Sequence, residues 1–115
     1  LKKIIKIVHL EIRKKMNIFL HKNKNKKIII LDIPLLLENK INKKNDILVF
    51  VQSKKSDILK RLRKRQHFNS KLLTKFKNIQ LPLDYKKKKS NFVIKNNFNN
   101  VSIKRDIKII LNKIL

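Results

Sequence analysis

The spacing of apolar residues changes period several times along the chain, and each change marks an element. Leu1, Ile4, Ile5, Val8, Ile12, Met16, Phe19 and Leu20 recur at steps of three and four, which predicts an amphipathic helix already under way at the first residue. His9 and Arg13, four apart, share one face of it. Lys22 to Lys27 alternates Lys and Asn with nothing apolar to bury, and reads as a loop. Ile28 to Leu31 is an unbroken apolar run, which predicts a strand buried on both faces. Asp32 interrupts it, and Pro34, which has no N–H, ends ladder pairing. The stretch IIILDIPLLLE is thus expected to deliver an acidic turn to a surface, and at the carboxyl ends of α/β strands that surface is where ligands bind.

Leu35 to Leu37 is expected to open a short helix carrying Glu38 outward, and residues 39–45 to form a polar loop with a turn packed by Ile41. Ile47 to Val51 predicts a second buried strand. Ser53 or Ser56 is the expected cap of a helix that turns Ile58, Leu59 and Leu62 inward and is covered by Lys60, Arg61, Arg63, Lys64 and Arg65. Asn69 is the expected cap of the next helix, through Leu72, Leu73, Phe76 and Ile79, which Pro82 stops near Gln80. Lys86 to Lys89 reads as a solvated helix end, Phe92 to Ile94 as a third strand, and the residues from Val101 as a closing helix. Buried strands separated by helices predict a parallel sheet with right-handed crossovers, an α/β fold.

Composition narrows this picture. With 115 residues and 42% hydrophobic content the chain makes one modest domain. The absence of Cys removes disulfides and thiolate metal sites, and fits a cytoplasmic setting. His9, His21 and His67 are scattered, so no metal-ligand cluster is expected. No apolar run approaches the roughly eighteen residues that span a bilayer. A net charge of +25 invites a nucleic-acid reading. Yet 27 of the 32 basic residues are Lys, Asn and Ile are in excess, and Gly and Ala are absent. That is the signature of A/T-rich codons, and specific phosphate recognition prefers Arg forks. The charge is therefore read chiefly as solvated surface.

Taken in order, His9 with Arg13, DIPLLLE at 32–38, Arg61 with Arg65, Gln80-Leu81-Pro82 and Asn91-Phe92-Val93-Ile94-Lys95-Asn96 resemble the dephospho-CoA kinases, members of the P-loop kinase fold. Leu10, Phe76 and Asn91 stand where that family usually has Pro, Arg and Asp. The resemblance implies a three-layer, parallel P-loop kinase-like sheet flanked by helices, incomplete at its N-terminus. With no Gly there is no G-x-x-x-x-G-K-[ST] loop, so the chain is expected to be the C-terminal part of such a kinase, inactive alone. By the resemblance, residues 1–27 are a remnant of the helical CoA-binding part, 28–53 core strands with the acceptor loop, 54–90 a helical lid, and 91–115 the last strand and helix.

The resemblance further implies ATP-dependent phosphorylation of the ribose 3′-hydroxyl of dephospho-CoA, the last step of coenzyme A biosynthesis, with ATP and Mg²⁺ bound mainly by an upstream segment. Arg61 and Arg65, four apart on one helix face, would be the catalytic lid cations. Asp32, Pro34, Leu35, Leu36 and Glu38 would line the acceptor side, His9 and Arg13 would meet the acceptor's phosphates, and Asn96 would contact the adenine edge. Three rival readings stand beside this one: a basic nucleic-acid-binding module, a kinase of the same fold with another acceptor, and a non-catalytic remnant.

Overall fold

The computed structural model describes residues 2–65 and 69–115, apart from the side chains of Lys2, Leu72, Leu73, Lys75 and Phe76. The expectations for His67, and for the inward faces of Leu72, Leu73 and Phe76, lie outside what is described. In chain order the elements are α1 (Lys2–Lys22), β1 (Val49–Gln52), α2 (Lys55–Arg63), α3 (Ser70–Ile79), α4 (Leu83–Lys89), β2 (Phe92–Lys95) and α5 (Asn100–Ile114). They fall into two compact units, Leu1–Lys43 and Lys44–Leu115.

The first unit holds α1 and the stretch that follows it. The helix forms where the three-and-four spacing predicts it, and Asn23, whose Nδ2 donates to the Phe19 carbonyl at 2.8 Å, helps close its last turn. Residues 28–33 belong to no helix or strand, which corrects the expectation of a buried strand at Ile28 to Leu31. Strand pairing needs a neighbour, and among the described residues the only hydrogen-bonded strands lie in the other unit. Ile30 is accordingly 81% exposed.

Leu35 to Leu37 opens a single turn and not a helix, because the chain reverses at Lys40. The Ile41 N–H donates to the Leu36 carbonyl at 3.0 Å and the Lys40 N–H to the Leu37 carbonyl at 3.2 Å. Nested bonds of this kind around a left-handed residue form a Schellman closure, and Lys40 supplies that residue at φ 52. Ile41, just beyond, is 4% exposed. A hydrophobic residue at this position is common in such closures.

In the second unit β1 and β2 pair in parallel, Val49 opposite Phe92 and Gln52 opposite Lys95. Helix α5 packs on β2 and buries Ile110. The first strand starts two residues later than the apolar run from Ile47, because Leu48 is engaged by a side chain. Its N–H donates to Asn91 Oδ1 at 2.8 Å, and its carbonyl accepts from the Asn91 and Phe92 N–H groups at 2.8 and 3.2 Å. Asn91 thereby sets the start of both strands.

Helix α2 takes Lys54 as its N-cap, with no side-chain bond, so neither Ser53 nor Ser56 caps it. Leu59 and Leu62 are half-buried and Ile58 is exposed. Asn69 does cap α3, its Oδ1 accepting from the Lys71 N–H at 2.9 Å. The helix ends at Ile79, ahead of Pro82. The basic run closes α4, with Asp84 in the first turn and Lys86 to Lys89 in the last, the polarity that suits the helix dipole. Asn99 caps α5 by accepting from the Val101 N–H at 3.0 Å.

Candidate functional site

The residues singled out in the sequence divide into two groups, one in each unit. In the first, Asp32 sits exposed just before the turn and Pro34 exposed at its start, while Leu35, Leu36 and Glu38 are half-buried within the turn. Glu38 therefore does not swing outward as expected, since the tight closure at Lys40 keeps it in the folded part of the turn. Leu35 adopts φ 54 directly after Pro34, and Asn39 Nδ2 donates to the Leu35 carbonyl at 2.9 Å. One left-handed residue, Leu35, lies within the DIPLLLE segment, and a second, Lys40, follows two residues after its end.

Arg13 reaches this turn from α1. Its Nη2 donates to the Asn39 carbonyl at 2.6 Å, a charge-assisted bond to a carbonyl at the carboxyl end of the turn, where positive charge is favoured. The structure thus brings Arg13 to the DIPLLLE segment, as an anchor of its backbone. A guanidinium has five N–H donors, and this bond uses one of them. His9, one helical turn earlier, is 9% exposed, and its Nδ1 has no hydrogen-bond partner. A buried orphan ring nitrogen costs about 1–3 kcal/mol, and a bound polar group would relieve it.

In the second unit, α2 ends at Arg63, and the Lys64 and Arg65 N–H groups bond to the Arg61 and Leu62 carbonyls at 3.2 and 3.1 Å. Arg61 lies within the helix and Arg65 two residues beyond it, so the shared helical face expected of the pair is interrupted by the tightened last turn. The guanidinium of Arg61 lies over the Phe98 ring, 3.7 Å from its centre. Phe98 belongs to the loop after β2, which also carries Asn96. The Asn96 N–H donates to the Gln52 carbonyl at 2.7 Å, extending the parallel pairing, and its Oδ1 accepts from the Phe98 N–H at 3.0 Å. The structure therefore brings Arg61 to the loop that holds Asn96.

Two residues here escape a reading of the sequence. Phe98 sits in the run NNFNN and looks like loop, and the only hint is an aromatic residue isolated among asparagines. Gln52, at the carboxyl end of β1, holds a buried Oε1 with no partner, at the end of a parallel pair where ligands characteristically lie. Nothing in its sequence context marks it. Among the described residues no group of three or more His, Asp or Glu stands together to hold a metal ion, and no helix is long and apolar enough to cross a membrane.

Comparison with known proteins agrees with the order of these features. The family model described as dephospho-CoA kinase matches residues 1–102. A dephospho-CoA kinase of Bacillus cereus is 34% identical over 110 residues, covering 94% of this chain and 55% of that protein. One from Wolbachia sp. subsp. Brugia malayi is 31% identical over 90 residues, covering 76% of this chain and 46% of that protein. The chain spans about half the length of these curated relatives. With the match running from the first helix into α5, through both groups of candidate residues, the chain belongs to the dephospho-CoA kinase family.

Proposed function

We propose that the chain is the acceptor-side and lid portion of a kinase that moves the γ-phosphoryl of ATP to the ribose 3′-hydroxyl of dephospho-CoA, completing coenzyme A. The observation that carries this is Arg61. Its guanidinium is held at the loop following β2, and among the described residues its N–H groups have no protein acceptor. Phosphoryl transfer asks mainly for positioning and for positive charge around the migrating group, and a fixed Arg with an unspent fork meets that need. Arg65 is the second cation at the same end of α2, and Asn96 meets the adenine edge through its amide.

The DIPLLLE turn forms the acceptor wall. Asp32 and Glu38 orient polar groups, Pro34, Leu35 and Leu36 pack on the ligand, and Arg13 and His9 approach the acceptor's phosphates from α1. The family fold is a three-layer P-loop sheet, of which β1 and β2 are two strands. Val49 and Val51 are 42% and 56% exposed, whereas parallel strands are ordinarily covered on both faces. With no Gly these 115 residues hold no phosphate-binding loop, so the cradle for the ATP phosphates and Mg²⁺ comes from residues outside this sequence. The protein works in the cytoplasm.

The test is a coupled assay of ATP consumption with dephospho-CoA, run on the gene product containing this chain and on the 115 residues alone. Turnover by the former and none by the latter is expected. Turnover by the 115 residues alone overturns the division of labour. A preference for a nucleoside monophosphate or a shikimate-like alcohol overturns the acceptor.

A further inference from the structure

Arg61 and Phe98 make a close cation–π contact, with the guanidinium carbon 3.7 Å from the ring centre. That is well inside the roughly 6 Å over which a cation is held by an aromatic face. The faces of a guanidinium are weakly hydrated, whereas its donors point outward from the rim. A ring against one face therefore restricts the group without using a single N–H.

Phe98 is an unusual residue to find in this role by accident. Its φ is 59, a region that is costly for a bulky side chain. Such a conformation persists only where the surroundings over-determine it, and here they do. Asn96 Oδ1 accepts from the Phe98 N–H at 3.0 Å, and Asn97 Oδ1 accepts from the Asn99 N–H at 2.9 Å and from the Ser102 hydroxyl at 3.2 Å. Core burial does not explain the arrangement, since Phe98 remains 39% exposed. What the strained loop achieves is to present a ring to α2.

We propose that Phe98 is the positioning residue of Arg61, restricting the guanidinium by its face so that the rim is directed at the transferring phosphoryl group. This rests on the proposed role of Arg61 in phosphoryl transfer. Phe98 itself touches no reacting atom. It limits the rotamers of a long side chain that would otherwise have to be ordered during each turnover.

The test compares F98L, F98Y and F98G with R61A and the R61A/F98L double variant, in the gene product containing this chain. Loss of the ring in F98L should lower kcat about fivefold while KM for dephospho-CoA stays within about twofold, and F98Y should restore kcat. In the R61A background F98L should cost nothing further, because the residue it positions is gone. F98G is compatible with φ 59, so its Tm should hold or rise while kcat falls with that of F98L. Equal losses in F98L and F98Y, a persisting F98L effect without Arg61, or a Tm that falls in step with kcat in F98G would each overturn the proposal. If R61A is impaired while F98L keeps wild-type kcat, the positioning role alone is lost. If R61A turns over normally, the role of Arg61 falls first and that of Phe98 with it.

Discussion

Lys40→Gly should stabilise the protein although it deletes a side chain and adds chain entropy. The reversal that closes the DIPLLLE turn passes through Lys40 at φ 52, where a Cβ crowds the neighbouring carbonyl at a cost of about 1–2 kcal/mol. Glycine removes that cost, and this is why it dominates such closures. Against the gain stands the greater freedom of glycine in the unfolded chain, about 0.4–1 kcal/mol. Lys40 is exposed, and its side chain has no bonded partner among the described residues to lose. The net expectation is a gain of about 0.5–1 kcal/mol, or a Tm higher by about 3–6 °C for a domain of this size.

Thermal and urea denaturation followed by circular dichroism measure this directly, and two controls isolate the cause. Lys40→Ala keeps the Cβ and should fall within about 0.5 kcal/mol of the parent, reporting only the lost charge at the end of the turn. Lys44→Gly places glycine four residues away, where φ is not positive, and should destabilise by about 0.4–1 kcal/mol. Hydrogen exchange adds a local readout, since the Lys40 and Ile41 amides that donate back into the turn should become better protected in Lys40→Gly. If Lys40→Gly destabilises as much as Lys44→Gly, the turn does not carry the strain assigned to it, and the left-handed closure is wrong.

Substitutions at two further positions, Arg13 and Asn91, probe the anchors of the two units. Arg13→Ala removes the 2.6 Å bond to the Asn39 carbonyl and should cost about 1 kcal/mol, with Arg13→Lys recovering part of it in the same melts. Asn91→Asp keeps an acceptor for the Leu48 N–H, now at 2.8 Å, and should leave the urea midpoint nearly unchanged. Asn91→Ala leaves that donor without its side-chain partner and should lower stability by about 1 kcal/mol.

The helices were legible because their signal is redundant: α1 repeats its apolar step over five turns, and the Asn69 cap lies where the periodicity of α3 begins. The parallel pairing of the strands near residues 50 and 93 was legible from their continuous apolar character. Their register was not, because it is set by Asn91 Oδ1 on the Leu48 N–H, a contact across 43 residues that no local pattern encodes. Ile28 to Leu31 misled for the converse reason. An apolar run states that a segment suits a sheet, not that a partner strand lies beside it. Within the candidate site the charged residue types could be picked out, whereas Phe98 could not, since its role depends on a ring meeting Arg61 across the fold.

A chain without glycine must still make left-handed turns, and the three among the described residues, at Leu35, Lys40 and Phe98, all lie within or close to the candidate site segments. Each needs side-chain bonds to hold a conformation that glycine would adopt freely. Asparagine supplies them. The side chains of Asn23, Asn39, Asn69, Asn91, Asn96, Asn97 and Asn99 all bond to the main chain, and those of Asn39, Asn96 and Asn97 lie at or beside the left-handed positions. Asparagine suits this work because its short amide mimics a backbone group. The same composition that excludes glycine is rich in asparagine, so the excess is structural as well as compositional. It follows that Asn39, which bonds to the Leu35 carbonyl beside Lys40, and the asparagines flanking Phe98 should tolerate substitution poorly, and that introducing glycine at the left-handed residue should make them dispensable. Asn39→Ala should accordingly cost less stability in the Lys40→Gly background than in the parent, and equal costs in the two backgrounds would show that the amide and the backbone strain are unrelated.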